Sequence, residues 1–333
     1  MFRSKRRQYG GDMGHIRDRQ AVVIGGTGFI GRHICRALTK RGYEVLAIAR
    51  KPAEPISGVG FLALDAVSAP SEDIVRAAQS ADLVVNAAGD SWEGDEASMT
   101  ASHIPLVDRL VDAVAALPRR PRLVHLGSVH EYGPVPDGTA IAEDHPTAPR
   151  TPYARTKLVG SRIVLGAADA GRIDGCVLRV TNVCGPGTPR GSFLGGLAHR
   201  LRHTTEETPL TVTLVDDRRD FIDVRDVAEA VVLAASSPVT GRVLNVGQGD
   251  AFSMRELAGL LIAASQVPDR LVREESGAVH SKGGSWTQAD IRLARRLMGW
   301  SPKVALKESL HDLWAASATS SRPAAAAART EGH

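Results

Sequence analysis

Apolar residues in this chain form short runs separated by stretches where they recur every three to four positions. QAVVIGGTGFIG (20–31) is an apolar run that ends in glycines. GRHICRALTKRG (31–42) spaces Ile34, Ala37 and Leu38 along one helical face and places Gly42 where a helix would end. YEVLAIA (43–49) reads as a second strand. FLALDA (61–66) and ADLVVNAAG (81–89) read as further strands, with SEDIVRAAQS (71–80) helical between them. PLVDRLVDAVAAL (105–117) predicts a helix, RLVHLGS (122–128) a strand, TPYARTKLVGSRIVLGAADAG (151–171) a long helix and GCVLRVTNVCG (175–185) a strand. Strand and helix in alternation predict an α/β fold, a doubly wound parallel sheet with right-handed crossovers.

Past Gly185 the pattern loosens. PGTPRGSFLGGLAHRLRH mixes a loop with a helix, and LTVTLVDDRRDFIDVRDVAEAVVLAA (210–235) reads as a strand or hairpin and then a helix. RVLNVGQG (242–249) and SMRELAGLLIAAS (253–265) repeat the strand–helix theme. The expected organisation is a basic, flexible extension over 1–18 and a nucleotide-binding domain over 19–185, to which 210–249 returns. A small C-terminal α/β region follows over 186–209 and 250–316, then a disordered tail over 317–333, where SATSSRPAAAAARTEGH has no apolar pattern.

Hydrophobic residues make up 43% of the 333 positions, enough for a sizeable core. No apolar run is long enough to span a membrane, and no apolar stretch follows the polar, basic N-terminus as in a secretory signal, so a cytoplasmic protein with no membrane partner is expected. The three cysteines, Cys35, Cys176 and Cys184, lack metal-ligand spacing and read as reduced thiols; no metal is expected. The formal charge of +4 suggests a nucleic-acid partner only until it is located. Residues 1–19 hold six basic against two acidic side chains, the same excess as the whole chain. The body is therefore neutral, the basic end reads as a solvated extension, and no nucleic-acid partner is expected.

Gly25, Gly28 and Gly31 form GxxGxxG between a strand and a helix. Small residues there let the chain turn sharply and let its backbone approach a pyrophosphate, while the helix N-terminus offers unpaired N–H groups. Arg50 and Lys51 follow the second strand, where the adenosine ribose of a dinucleotide should lie. A carboxylate there would bind the ribose 2′-OH and repel a 2′-phosphate; a guanidinium does the reverse, which points to NADPH, with NAD the alternative. Two solvated surface charges would leave the same trace. Asp65, followed by Ala66, is placed to meet the adenine edge. Thr27, Phe29 and Ile30 in the loop and Ala87, Ala88 and Gly89 after the ADLVVN strand complete the expected cofactor set.

Tyr153 and Lys157 make YxxxK near the start of a helix and project from one face. A phenol titrates near 10, too high for easy proton exchange, and an adjacent ammonium is expected to lower it; the lysine can also hold the nicotinamide ribose. Ser128, at the end of the preceding strand, points to the same sheet edge and can donate to a substrate carbonyl. An amphipathic helix with an incidental pair is the plainer reading of the motif.

GGTGFIG (25–31), GSVHEYG (127–133), YARTK (153–157), LRVTNVCGPG (178–187), RDFIDVRDVA (219–228), LNVGQG (244–249) and MGWSP (298–302) occur in order. Together they resemble the extended short-chain dehydrogenase/reductases, the NAD(P)-dependent epimerase/dehydratase family, over roughly residues 20–312. That resemblance implies a Rossmann-type domain and a small C-terminal substrate-binding domain that grips a nucleoside-diphosphate sugar. It further implies that Ser128, Tyr153 and Lys157 are catalytic, that Asn182 and Arg219 contact the diphosphate, and that the protein is a homodimer through the helix carrying Tyr153. An ion pair of Arg219 with Asp217 or Asp220 is the competing reading.

The departures from the pattern narrow the chemistry. The family's sugar 4,6-dehydratases carry an Asp-Glu pair after the catalytic hydroxyl residue, where this chain has Val129 and His130. Valine donates no proton, which argues against water elimination; His130 is a candidate substrate contact or a surface or core residue. His103 stands where the family has a helix asparagine that supports a proton path, and its imidazole can substitute. The segment 91–114 is similar to that of the NDP-4-keto-6-deoxyhexose 4-ketoreductases of actinomycete deoxysugar pathways, which implies a role in antibiotic biosynthesis.

The expected activity is NADPH-dependent reduction of the 4-keto group of a nucleotide-activated, dTDP-linked 4-keto-6-deoxyhexose. The alternatives are an NDP-sugar epimerase with tightly bound NAD and a non-catalytic NADP(H)-binding regulator.

Overall fold

The computed structural model describes residues 19–89, 96–276 and 284–318; the expected basic extension and nearly all of the expected tail lie outside them. Its first half alternates strand and helix: β1 (Arg19–Ile24), α1 (Phe29–Lys40), β2 (Tyr43–Ala49), β3 (Val59–Ala63), α2 (Ser71–Ala78), β4 (Leu83–Asn86), α3 (Glu96–Ala115), β5 (Arg122–Ser128), α4 (Pro152–Asp169) and β6 (Asp174–Val180). Then come β7 (Asn182–Cys184), α5 (Phe193–Leu201), β8 (Leu210–Leu214), β9 (Arg218–Arg219), β10 (Phe221–Asp223), α6 (Val224–Ala234) and β11 (Val243–Val246). The last elements are β12 (Phe252–Ser253), α7 (Met254–Ser265), β13 (Val272–Ser276), β14 (Trp286–Thr287), α8 (Arg292–Met298) and α9 (Leu306–Ser317).

Seven strands form one parallel sheet in the order β3-β2-β1-β4-β5-β6-β11. Strand order reverses between β1 and β4, so a crevice opens at their carboxyl ends. Each face carries its own core. Ile34, Cys35 and Leu38 of α1 pack with Val227 and Val231 of α6 over Val23, Val85 and Val124. Leu110 and Val114 of α3 and Val164 of α4 pack over Val22, Val84 and Leu123 on the other side. Successive strand residues thus face opposite layers, as the alternation of a doubly covered sheet requires.

A second core lies between α5, α7, α9 and β8, around Leu194, Leu197, Leu257, Leu261 and Leu310. Several expected boundaries change. Strand β8 pairs with β13, and its Leu210, Val212 and Leu214 belong to this second core, so 210–214 does not return to the main sheet. Ala294 and Met298 of α8 and the buried Trp300, within the expected C-terminal region, pack on the main sheet's core instead. The strand expected over 175–185 breaks at Thr181, and its second piece, β7, pairs with β10. Pro105 reads as a helix start, but α3 begins nine residues earlier and runs through it. The three cysteines are buried and free, and burial pushes each thiol up to about 12. Among the described residues, no helix is long and apolar enough to cross a membrane, and no group of three or more His, Cys, Asp or Glu is arranged to hold a metal ion.

Candidate active site

The parallel sheet brings the ends of β1, β2, β4 and β5 to one edge, and the sequence-selected residues gather there. After β1 the chain turns at Gly25, whose φ of +76° suits glycine. A Cβ on Gly25 would lie 2.7 Å from the Ala88 backbone nitrogen, and one on Gly31 only 2.1 Å from the Gly25 carbonyl oxygen. The loop is therefore closed by backbone against backbone, with Gly28 N–H donating to Gly25 O at 3.0 Å. Gly28 is the N-cap of α1, with no side-chain cap and no acidic residue in the first turn. The N–H groups of that turn, together with the positive end of the helix dipole, are left for an anion. This glycine-lined cradle fits a dinucleotide pyrophosphate. Thr27, Phe29 and Ile30 lie in the cradle's rim and the first turn of α1.

Arg50 and Lys51 are exposed directly after β2, the strand hydrogen-bonded beside β1. Asp65 follows β3, and the buried Ala66 follows it. The backbone N–H of Val67 and the Ser68 hydroxyl hold the Asp65 carboxyl below its usual value, and Arg50 adds to this from across the strand ends. Arg50 and Asp65 thus share one patch. Ala87, Ala88 and Gly89 leave β4 against the glycine turn. A Cβ on Gly89 would be 3.9 Å from both Lys157 Nζ and His103 Nε2, so the glycine loop reaches the YxxxK helix through this one segment.

Ser128 ends β5 and caps the 3-10 turn Val129–Tyr132, its hydroxyl accepting from His130 N–H at 3.3 Å. Tyr153 and Lys157 stand on the first turns of α4, whose N-cap Thr151 accepts from Ala154 N–H and whose first residue is Pro152. The Ser128 hydroxyl and the Tyr153 phenol are hydrogen-bonded to each other. Burial nonetheless pushes the phenol up to about 12, the Ser128 bond opposing. The expected lowering of Tyr153 by the Lys157 ammonium is therefore not what this arrangement does. Lys157 donates Nζ–H to the Leu126 carbonyl at 2.6 Å, and burial lowers it to about 8 against the Glu131 carboxylate.

His130, Asn182 and Arg219 converge beside Tyr153. The His130 and Tyr153 rings meet edge-on at 6.5 Å. Burial and the nearby Arg219 guanidinium push His130 down to about 4 against a hydrogen bond with Asn182, so it is neutral at physiological pH. His130 is therefore a buried residue of the site and not a surface one. Arg219 is buried and donates to Asp217 at 2.9 Å and to the Gly284 carbonyl, so the ion pair with Asp217 is formed. Val129 is buried among Tyr132, Val135 and Ile141, an apolar position with no proton to give.

Sequence reasoning passed over a buried polar layer behind these residues. Glu131, wholly inaccessible, accepts from the Ser128 backbone N–H at 2.8 Å, the Ser161 hydroxyl at 2.9 Å and Arg179 Nε–H at 2.8 Å. The Arg179 guanidinium lies 4.4 Å over the Tyr132 ring, and the Tyr132 hydroxyl donates to Asn245 at 2.8 Å. Asp220 accepts from the backbone N–H groups of Gln248, Gly249 and Ala289, and burial raises it to about 6. The available signal was Arg179 and His125 inside otherwise apolar strands, since a polar side chain in a doubly covered sheet must find a partner.

Comparison with known proteins agrees with this geometry. The NAD dependent epimerase/dehydratase family matches residues 21–247. A dTDP-6-deoxy-L-talose 4-dehydrogenase (NAD(P)(+)) of Kitasatospora kifunensis is 40% identical over 311 residues, 92% of this chain and 98% of that protein. A UDP-glucuronic acid 4-epimerase from Bacillus cereus, solved as a mutant with a UDP-sugar and NAD, has the same fold, with a TM-score of 0.80 at 24% identity over 90% of this chain and 99% of its own. MoeE5, solved with UDP-glucuronic acid and NAD, gives a TM-score of 0.78 at 26% identity over the same shares of the two chains.

Proposed function

We propose, for a chain that belongs to the NAD-dependent epimerase/dehydratase family, that it interconverts a 4-keto and a 4-hydroxyl group on a dTDP-linked 6-deoxyhexose, working in the cell as an NADPH-consuming reductase. The family and its relatives support modification of a nucleotide sugar by an NAD(P)-dependent enzyme. The observation that carries the rest is the hydrogen-bonded pair Ser128–Tyr153, one helical turn from Lys157 and joined through Gly89 to a glycine cradle that Arg50 and Lys51 flank. The relative's name describes oxidation of a 4-hydroxyl. One active site catalyses both directions of such a couple, and a cofactor maintained in reduced form drives the reduction.

The nicotinamide cofactor, when bound, supplies a hydride. The residues fit for it are Gly25, Gly28 and Gly31 with the first turn of α1 at the pyrophosphate, Arg50 and Lys51 at a 2′-phosphate, and Lys157 near the nicotinamide ribose. Tyr153 gives its phenolic proton to the substrate's carbonyl oxygen, so the ketone becomes an alcohol by gaining a hydride at carbon and a proton at oxygen. A phenol held up at about 12 stays protonated through the working pH range, ready to donate. The Ser128 hydroxyl polarises the carbonyl, and its position is set by Glu131, which binds its backbone N–H. Neutral His130 with Asn182 and Arg219 forms the polar wall for the substrate's diphosphate and sugar. Val129 in place of an acid makes water elimination the disfavoured outcome.

Purified protein mixed with a dTDP-4-keto-6-deoxyhexose should consume NADPH one for one with the appearance of an alcohol. Full retention of NAD through purification, with no net cofactor use, would instead support an epimerase. Preference for NADH over NADPH would remove the role given to Arg50 and Lys51.

A further inference from the structure

Asp220 stands between β9 and β10, where the chain passes from the β12-β9-β14 sheet to the β10-β7 pair. Arg219 ends β9 on one side of it, and Phe221 opens β10 on the other, in register with Asn182. The Asp220 side chain is wholly inaccessible, and its carboxylate receives four donors. On Oδ1 these are Gln248 N–H at 2.7 Å and the Thr181 hydroxyl at 3.2 Å. On Oδ2 they are Gly249 N–H at 3.0 Å and Ala289 N–H at 3.1 Å. The donors come from the break between β6 and β7, the loop after β11 and the segment after β14. Gln288 Nε2–H donates to the Gly249 carbonyl at 2.8 Å and ties the last two together. A Cβ on Gly247 would lie 2.7 Å from Asp220 Oδ2, so the chain keeps a side chain out of the space the carboxylate fills.

Every one of these partners donates, so an ionised carboxylate suits them and an amide does not. An asparagine here would keep one acceptor oxygen and set its own N–H groups against backbone N–H groups. The backbone of Asp220 is engaged as well. Its carbonyl accepts from the Asn182 backbone N–H and from the Asn182 side-chain amide, each at 3.1 Å. The Asn182 side chain is in turn hydrogen-bonded to His130. One buried carboxylate therefore fixes the junction from which Arg219 projects and against which Asn182 rests.

We propose that Asp220 is a positioning residue for the substrate's diphosphate: its carboxylate locks the β9–β10 junction, so that the Asn182 amide and the Arg219 guanidinium are in place before the nucleotide sugar arrives. The inference rests on the assignment of Asn182 and Arg219 to the diphosphate under the proposed function. Asp220 acts through these two residues and, being wholly inaccessible, does not meet the substrate itself. Groups fixed in advance lose less freedom on binding, so the effect falls on affinity. The reacting groups Ser128, Tyr153 and Lys157 stand on β5 and α4, outside this junction, so the rate at saturation is spared.

The test is calorimetry of the full chain with dTDP in the presence of NADPH, together with steady-state kinetics on a dTDP-4-keto-6-deoxyhexose. Asp220→Asn should weaken dTDP binding about tenfold and raise KM for the sugar nucleotide to match, the equivalent of one lost hydrogen bond to a charged group. kcat at saturation and KM for NADPH should change by less than about threefold, the pattern of lost ground-state binding. Gly247→Ala, which presses on Oδ2 while the acid is retained, should weaken dTDP in the same way. A merely structural Asp220 would instead reduce the folded fraction, cutting kcat and leaving KM alone. Wild-type dTDP affinity in folded Asp220→Asn, or a loss confined to kcat, overturns the proposal. Wild-type dTDP affinity in both Arg219→Ala and Asn182→Ala would overturn the diphosphate assignment, and the proposal with it. Should Asp220→Asn fail to fold, Thr181→Val decides: it keeps the shape and removes one donor, so dTDP affinity should fall about threefold with kcat unchanged, and an unmoved affinity refutes the role.

Discussion

Arg179 donates its Nε–H to Glu131 at 2.8 Å, and both side chains are buried directly behind Ser128. The pair joins β6 to the turn after β5, and through Ser161 to α4, so it ties together the three elements around the reacting groups. Removing one partner strands a charge: Glu131→Ala should destabilise the protein by about 3–5 kcal/mol in denaturant unfolding. Replacing both, Glu131→Leu with Arg179→Met, should cost less than the single change. A single variant with wild-type stability would refute this.

Tyr153→Phe retains the ring and removes the proton. It should lower kcat by roughly 10²–10⁴-fold, with cofactor affinity changed little. Ser128→Ala removes the hydroxyl bound to the phenol and should also reduce kcat, with a smaller loss. Equal activity in Tyr153→Phe and wild type in a stopped NADPH assay would contradict the assignment.

Arg50→Glu reverses the charge beside the cradle. The kcat/KM for NADPH should fall by about 10–100-fold, the equivalent of one lost charge-assisted contact, while that for NADH changes little or rises. Steady-state kinetics with both cofactors distinguish this from a surface charge, for which the ratio would not move.

Burial lowers Lys157 to about 8 from a usual value of 10.5. Between those two values the unfolded chain binds more protons at this site than the folded one, so folding stability rises with pH there. The contribution is complete above the unfolded value and lost as pH falls through the folded one. Lys157→Met should flatten that slope in unfolding measured without nucleotide. In turnover the protonated form is the competent one, so reduction should decline above about pH 8.

A Cβ on Gly31 would fall 2.1 Å from the Gly25 carbonyl oxygen, a backbone atom with no room to yield. Gly31→Ala should displace the first turn of α1 from the loop and weaken dinucleotide binding at least about tenfold by calorimetry, one or more lost hydrogen bonds to a charged group. Gly259→Ala, in α7 with open space around it, serves as the control and should leave binding intact.

Much of the first half was legible because it is local. β2, β5 and α1 are runs whose periodicity answers to the sheet or helix they form, and the glycines announce a turn that only small residues can make. Boundaries failed where non-local packing decides them. α3 runs through Pro105, and Thr181 breaks a continuous apolar stretch because β7 is drawn away to β10.

By itself the sequence determined the order of elements, the glycine turn, the YxxxK spacing and the hydroxyl at a strand end, since these depend on neighbours a few residues apart. Only the tertiary structure decided that Asn86 is hydrogen-bonded to His125, that Glu131 meets Arg179 and holds Ser128, and that β8 leaves the main sheet for a second core. Most of those relations join residues distant in sequence. Their chemistry arises from burial, which exists only once the layers close: it raises a phenol, lowers an ammonium and leaves His125 Nε2 without a hydrogen-bond partner among the described residues.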